Sequence, residues 1–79
     1  MIIENFLVEV QRMNALIKLK KTGTPVEFAK KLGLSTRTLH RRIDFLKDIG
    51  VPIAYDRFAQ SYYYTKEGEM EAMILFKQK

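Results

Sequence analysis

The chain has 79 residues, 47% of them hydrophobic, which suits one small domain with a single apolar core. It has no Cys and one His, His40, so a disulfide framework, a thiolate metal site and a multi-histidine metal site are all excluded. The formal net charge is +5, and it is concentrated: ten Lys and Arg lie between Gln11 and Lys47 against Glu27 and Asp44, while residues 51–79 carry four of each sign. Charge gathered in one segment favours a polyanion partner, with a solvated basic surface as the plainer reading.

Taken in order, the first apolar series is Ile3, Phe6, Leu7, Val10, Met13, Leu16 and Ile17. Its three-and-four spacing predicts a helix over about 3–21, closed by the cations and glycine of "KKTG". The opening "MIIENFLVEV" is interrupted by Glu4 and Glu9 and has no basic segment before it. It therefore reads as neither a membrane span nor a signal peptide, and a soluble cytoplasmic protein is expected.

"TPVE" at 24–27 is a second helix start with three agreeing signals. Thr24 can cap, Pro25 suits the first helical position, and Glu27 completes a capping box. Phe28, Ala29 and Leu32 give that helix, 25–32, its apolar face before Gly33 stops it. A third helix, 36–48, follows at once with Ser35 as N-cap and Leu39, Ile43 and Leu46 facing inward. Two helices joined by so short a turn must cross at a large angle.

Beyond Gly50, "VPIAYD" and "SYYYT" flank "RFAQ" and predict a hairpin over about 51–65. The segment 69–77 is read as a strand, with a short helix as the other possibility. As a strand it places Glu67, Glu69 and Glu71 on one face and Met70, Ala72, Ile74 and Phe76 on the other. Those apolar residues, with Met1 to Leu7, suggest either a homodimer interface or a somewhat larger monomer core.

The composite of Leu32-Gly33-Leu34-Ser35, then Arg37-Thr38-Leu39-His40-Arg41, then Gly50-Val51-Pro52-Ile53 resembles the winged helix-turn-helix of bacterial transcription regulators. The likeness is to the N-terminal domains of biotin-repressor-like, DeoR-like and WYL-type regulators, and it covers about residues 10 to 65. It implies an α+β fold: a three-helix winged helix-turn-helix with a C-terminal β-hairpin wing and room for a third strand. It also implies double-stranded DNA as partner, with helix 36–48 in the major groove. Two departures stand out. Arg42 occupies a position where the family commonly has an acid, and "RFAQS" occupies a wing tip where paired glycines are frequent. Such regulators continue into an effector-binding domain near where residue 79 falls, so no small-molecule ligand is inferred.

On a helical wheel, Arg37, Thr38, Arg41, Asp44 and Phe45 lie away from Leu39, Ile43 and Leu46, with Arg42 at one border and His40 at the other. The candidate DNA-contacting residues are Thr24, Ser35, Thr36, Arg37, Thr38, His40, Arg41, Arg42 and Arg57. Arg37, Thr38 and Arg41 are assigned to bases or adjacent phosphates, Arg42, Lys30 and Lys31 to the backbone, and Arg57 to the wing. For Thr22, Thr24 and Ser35 capping is the first role and phosphate contact the second. Asp44, three residues after Arg41, cannot satisfy three arginines. The tyrosines at 62–64 are assigned to core packing ahead of base stacking. No nucleophile, base and orienting group occur together, so no enzymatic activity, cofactor or metal is expected. The alternative function is a winged-helix module whose basic face docks on an acidic protein.

Overall fold

The computed structural model describes residues 2–66, 69–70 and 76–77. Three helices, α1 (Ile2–Lys18), α2 (Pro25–Leu32) and α3 (Thr36–Asp48), precede an antiparallel hairpin of β1 (Ile53–Asp56) and β2 (Ser61–Tyr64). This is the α+β arrangement of a winged helix-turn-helix, the hairpin forming the wing. Its register pairs Ile53 with Tyr64 and Asp56 with Ser61, which leaves Arg57 to Gln60 as the turn.

The core lies where the helices and the wing converge. Val10, Met13 and Ile17 of α1 meet Phe28, Ala29 and Leu32 of α2 and Leu39, Ile43 and Leu46 of α3, and Val51, Ile53 and Tyr62 close the open side. Phe28 is fully buried, and its ring lies 5.6 Å from that of Tyr62. Deleting such a side chain costs about 3–5 kcal/mol, a large part of the stability available to a domain of this size. Of the predicted α1 series, Phe6 and Leu16 pack on the edge of this core, half-buried.

All three helices stop by the same device, a reversal of the backbone with two crossed hydrogen bonds. In α2, Gly33 adopts φ 71° and donates to Lys30 O, while Leu34 N–H reaches back to Ala29 O. Gly50 and Val51 do the same for α3, toward Lys47 O and Leu46 O. In α1 the reversing residue is Lys20, at φ 54°, with Lys20 N–H on Ile17 O and Lys21 N–H on Leu16 O. The helix thus ends at Lys18, earlier than the expected 20 or 21, and Gly23 is not its stop.

Gly23 serves the next helix instead. A Cβ there would lie 2.9 Å from Glu27 Cβ and 3.0 Å from Glu27 Oε1, closer than side chains pack. Glycine lets Glu27 fold back so that Oε1 accepts from Thr24 N–H at 2.9 Å while Thr24 Oγ1 accepts from Glu27 N–H at 3.3 Å. The capping box read from "TPVE" is present.

Thr22 has a role that the sequence does not announce. It is fully buried, and its Oγ1 accepts from Tyr62 N–H at 2.8 Å on the outer edge of β2. Its own N–H donates to Ser61 Oγ at 3.2 Å, and the two hydroxyls lie 3.1 Å apart. The α1–α2 link therefore docks on the wing like a fragment of a third strand, satisfying an edge amide that burial would otherwise leave unpaired.

The expected single strand over 69–77 is not what forms. Glu69–Met70 and Phe76–Lys77 are two short strands, β3 and β4, paired antiparallel with Glu69 opposite Lys77. One extended strand would separate those two residues by about 27 Å at the usual rise, so a single strand cannot hold them as a pair. Residues 71–75, and with them the proposed apolar dimer face of Ala72 and Ile74, lie outside the described residues, as does Met1.

Candidate nucleic-acid interface

The turn between α2 and α3 is Gly33-Leu34-Ser35. Gly33 reverses the chain, Leu34 tucks against the core, and Ser35 takes extended backbone angles and caps α3. Ser35 Oγ accepts from Thr38 N–H at 3.1 Å and donates to Thr38 Oγ1 at 2.9 Å. The Thr38 hydroxyl, already an acceptor from Ser35, keeps its own proton for an outside acceptor.

With Leu39, Ile43 and Leu46 buried, the opposite ridge of α3 is Arg37, Arg41, Asp44 and Asp48, all exposed. Its sign changes along the helix, cations in the N-terminal half and acids in the C-terminal half. His40 is exposed beside the ridge, and Thr36 and Thr38 are half-buried. Among the described residues neither Arg37 nor Arg41 has a hydrogen-bond or ion-pair partner, Asp44 included.

Other cations of the basic segment are engaged by the fold. Arg42 Nε pairs with Glu9 Oε1 of α1 at 3.0 Å, and its guanidinium sits 5.3 Å from the centre of the Phe6 ring. Phe6 in turn meets Phe45 edge-on at 5.9 Å. Arg12 Nη2 donates to Lys31 O at 2.6 Å, in the last turn of α2, where a cation suits the unpaired carbonyls. Lys31 Nζ donates to Lys21 O at 2.7 Å, and Lys20 Nζ lies 5.9 Å from the Tyr63 ring centre. The sequence reading gave Arg42 and Lys31 to phosphate; the structure turns both toward protein groups.

At the start of α2, Thr24 is committed to the capping box. The hydrogen bonds from Thr24 hold the Glu27 carboxyl below its ordinary range, so an anion sits at this helix end. A phosphate would meet that charge. Ser35, Thr36, Arg37, Thr38, His40 and Arg41 are thus brought together on the N-terminal half of α3, while Thr24 and Arg42 are occupied elsewhere.

Arg57 is exposed at the wing turn. The turn dispenses with paired glycines because Asp56 Oδ1 accepts from Phe58 N–H at 2.8 Å and from Ala59 N–H at 3.2 Å. Gln60 takes the left-handed position at φ 51°. Phe58 and Gln60 stand exposed beside Arg57, although sequence reasoning singled out neither. The available signal was an aromatic in a tight turn, where polar residues are the rule.

The family model described as HTH domain matches residues 11–57, which runs from α1 through the two later helices and β1 to the wing turn. This chain belongs to the helix-turn-helix domain family. No curated protein and no solved structure matches it. As a helix-turn-helix domain it is a DNA-binding module of the kind found in bacterial transcription regulators, with α2 and α3 as the motif's two helices. No helix among the described residues is long and apolar enough to cross a membrane.

Proposed function

We propose that this helix-turn-helix domain binds duplex DNA sequence-specifically, as a small transcription regulator in the bacterial cytoplasm, with α3 lying in the major groove. The observation that carries the reading is the outward pair Arg37 and Arg41, exposed on the N-terminal half of α3 and without a partner among the described residues. A major-groove helix reads bases with that half, and arginine grips guanine O6 and N7 with two bonds. Thr38 and Thr36 stand beside the pair for base edges or phosphate, His40 for a base-adjacent contact, and Ser35 for a phosphate at the helix N-terminus. Arg57 contacts the backbone or minor groove from the wing. Arg42 holds α3 on α1, which fixes the angle at which the ridge is presented. Asp44 and Asp48, farther along the ridge, limit how deeply the C-terminal half approaches the phosphates.

The protein acts as a homodimer in this reading, so the preferred site is a palindrome with half-sites about one helical turn apart. The test is selection of bound duplexes from a random pool at a stated salt concentration. An enriched palindrome supports both specificity and the dimer, and an enriched asymmetric site supports specificity alone. If no sequence is enriched the reading fails, and the basic face is then assigned to an acidic protein partner.

A further inference from the structure

We propose that Phe58 is an apolar wedge that enters the base stack of duplex DNA from the minor groove, with Arg57 and Gln60 gripping the groove on either side. This rests on the duplex-DNA reading above. The relative exposure of Phe58 is 102%, so its ring is as open to water as in an extended chain. Val8, Leu19 and Val26 are also exposed, at 52–64%, but they lie on or beside helices and keep part of their surface covered. A lone exposed apolar residue is common on proteins; a complete aromatic ring held at the tip of a braced turn is not.

The turn is built to hold that ring out. Asp56 Oδ1 ties down the amides of Phe58 and Ala59, and the Asp56–Ser61 pair closes the strands beneath. Gln60 accepts left-handed backbone angles, which residues other than glycine seldom adopt. The end of β2 next to the turn is fixed in its own right, because Thr22 bonds Ser61 and Tyr62. Such a tip loses little backbone freedom on binding, and that preorganisation favours insertion over mere contact.

The neighbours of the ring choose the partner. A protein-docking aromatic normally sits within an apolar patch ringed by polar residues. Here the flanking turn residues Arg57, Ala59 and Gln60 include no other large apolar group, and all are exposed. A cation, an amide and an apolar ring are the side chains with which minor-groove binders read the groove and prise apart a base step. The nearby carboxylate of Asp56 has one oxygen turned into the turn's own amides. Insertion of this kind kinks the duplex toward the major groove, the groove that α3 occupies.

The experiment uses the full chain and the duplex recovered by selection, with 2-aminopurine placed at successive steps beneath the wing and donor and acceptor dyes at the duplex ends. The parent is expected to raise 2-aminopurine fluorescence at one step and to shorten the end-to-end distance. Phe58→Ala should bind about tenfold more weakly, the loss typical of a base–aromatic contact. It should leave the base stacked and the duplex straight, yet keep the parent's salt dependence. Phe58→Leu should restore part of the bend. Because the ring takes no part in the core, circular dichroism of all three proteins should be the same. A parent that binds with every base stacked, and a Phe58→Ala variant of equal affinity, would overturn the wedge and leave the major-groove reading standing. A parent that binds no duplex overturns both.

Discussion

Arg41 and Arg42 are neighbours in the chain and belong to different parts of the molecule. Arg42 turns toward α1, where Glu9 and the face of Phe6 receive it. Arg41 stands on the opposite ridge with Arg37, and neither has a partner among the described residues. One helix thus carries a cation whose charge is neutralised within the protein and two whose charge is left to attract something else. Net charge does not distinguish these two situations; the tertiary position of each guanidinium does. The same division runs through the whole basic segment, since Arg12 and Lys31 brace helix ends.

The contrast can be broken most directly by removing the outward pair. Arg37→Ala with Arg41→Ala should weaken binding to the selected duplex by about 2–6 kcal/mol in total, if each arginine makes a bidentate base contact. The same change should leave the urea midpoint nearly unmoved, because exposed residues without partners contribute little to folding. Anisotropy titrations and urea melts of the double variant check both halves. A double variant that binds as tightly as the parent would remove the ridge from the interface.

Next in size is the polar tie beneath the wing. Thr22→Val keeps the shape but leaves the Tyr62 amide buried without an acceptor, which should cost about 1–3 kcal/mol in a urea melt. Arg42→Ala is smaller, about 1 kcal/mol or less, because the pair with Glu9 is partly exposed and screened by solvent. Its diagnostic readout is the slope of log affinity against log salt, which should match the parent's. A flattened slope would put Arg42 on the phosphate backbone and erase the contrast with Arg41.

The smallest effect concerns pH. The Glu27 carboxyl is held below its ordinary value of 4.5 by hydrogen bonds from Thr24, so folding favours its ionised form. Its stabilisation is therefore complete above 4.5 and disappears as pH falls through the lowered value. Glu27→Gln should flatten that acidic limb of the urea midpoint against pH. A variant with the parent's full acid dependence would place the titration elsewhere.

What could be read beforehand follows from how local each signal is. Both bounds of α2 and α3 were legible because Thr24, Pro25, Glu27, Gly33, Ser35 and Gly50 act on backbone within a few residues of themselves. The hairpin was legible for the same reason, from two β-rich runs about a four-residue turn. The end of α1 was misplaced because a lysine, Lys20, takes the conformation that glycine normally marks. Thr22 looked like a capping residue because its partners lie some forty positions away, and no local pattern reveals them. The pairing of Arg42 was hidden for the same reason, since a wheel drawn for one helix cannot show Glu9 on another. The outward position of Arg37 and Arg41 was legible, since burial of Leu39, Ile43 and Leu46 dictates what faces away.

The bond from Tyr62 N–H to Thr22 Oγ1 also makes the wing a separately observable unit. Helix amides are held by carbonyls within the same element, whereas this one is held by a side chain across the molecule. Its proton can exchange with solvent when the wing swings away, while the helices stay intact. Hydrogen exchange at Tyr62, compared with that in the core of α3, therefore measures the free energy of wing undocking apart from global unfolding. A bound duplex that grips both α3 and the wing should slow Tyr62 more than a contact to α3 alone would.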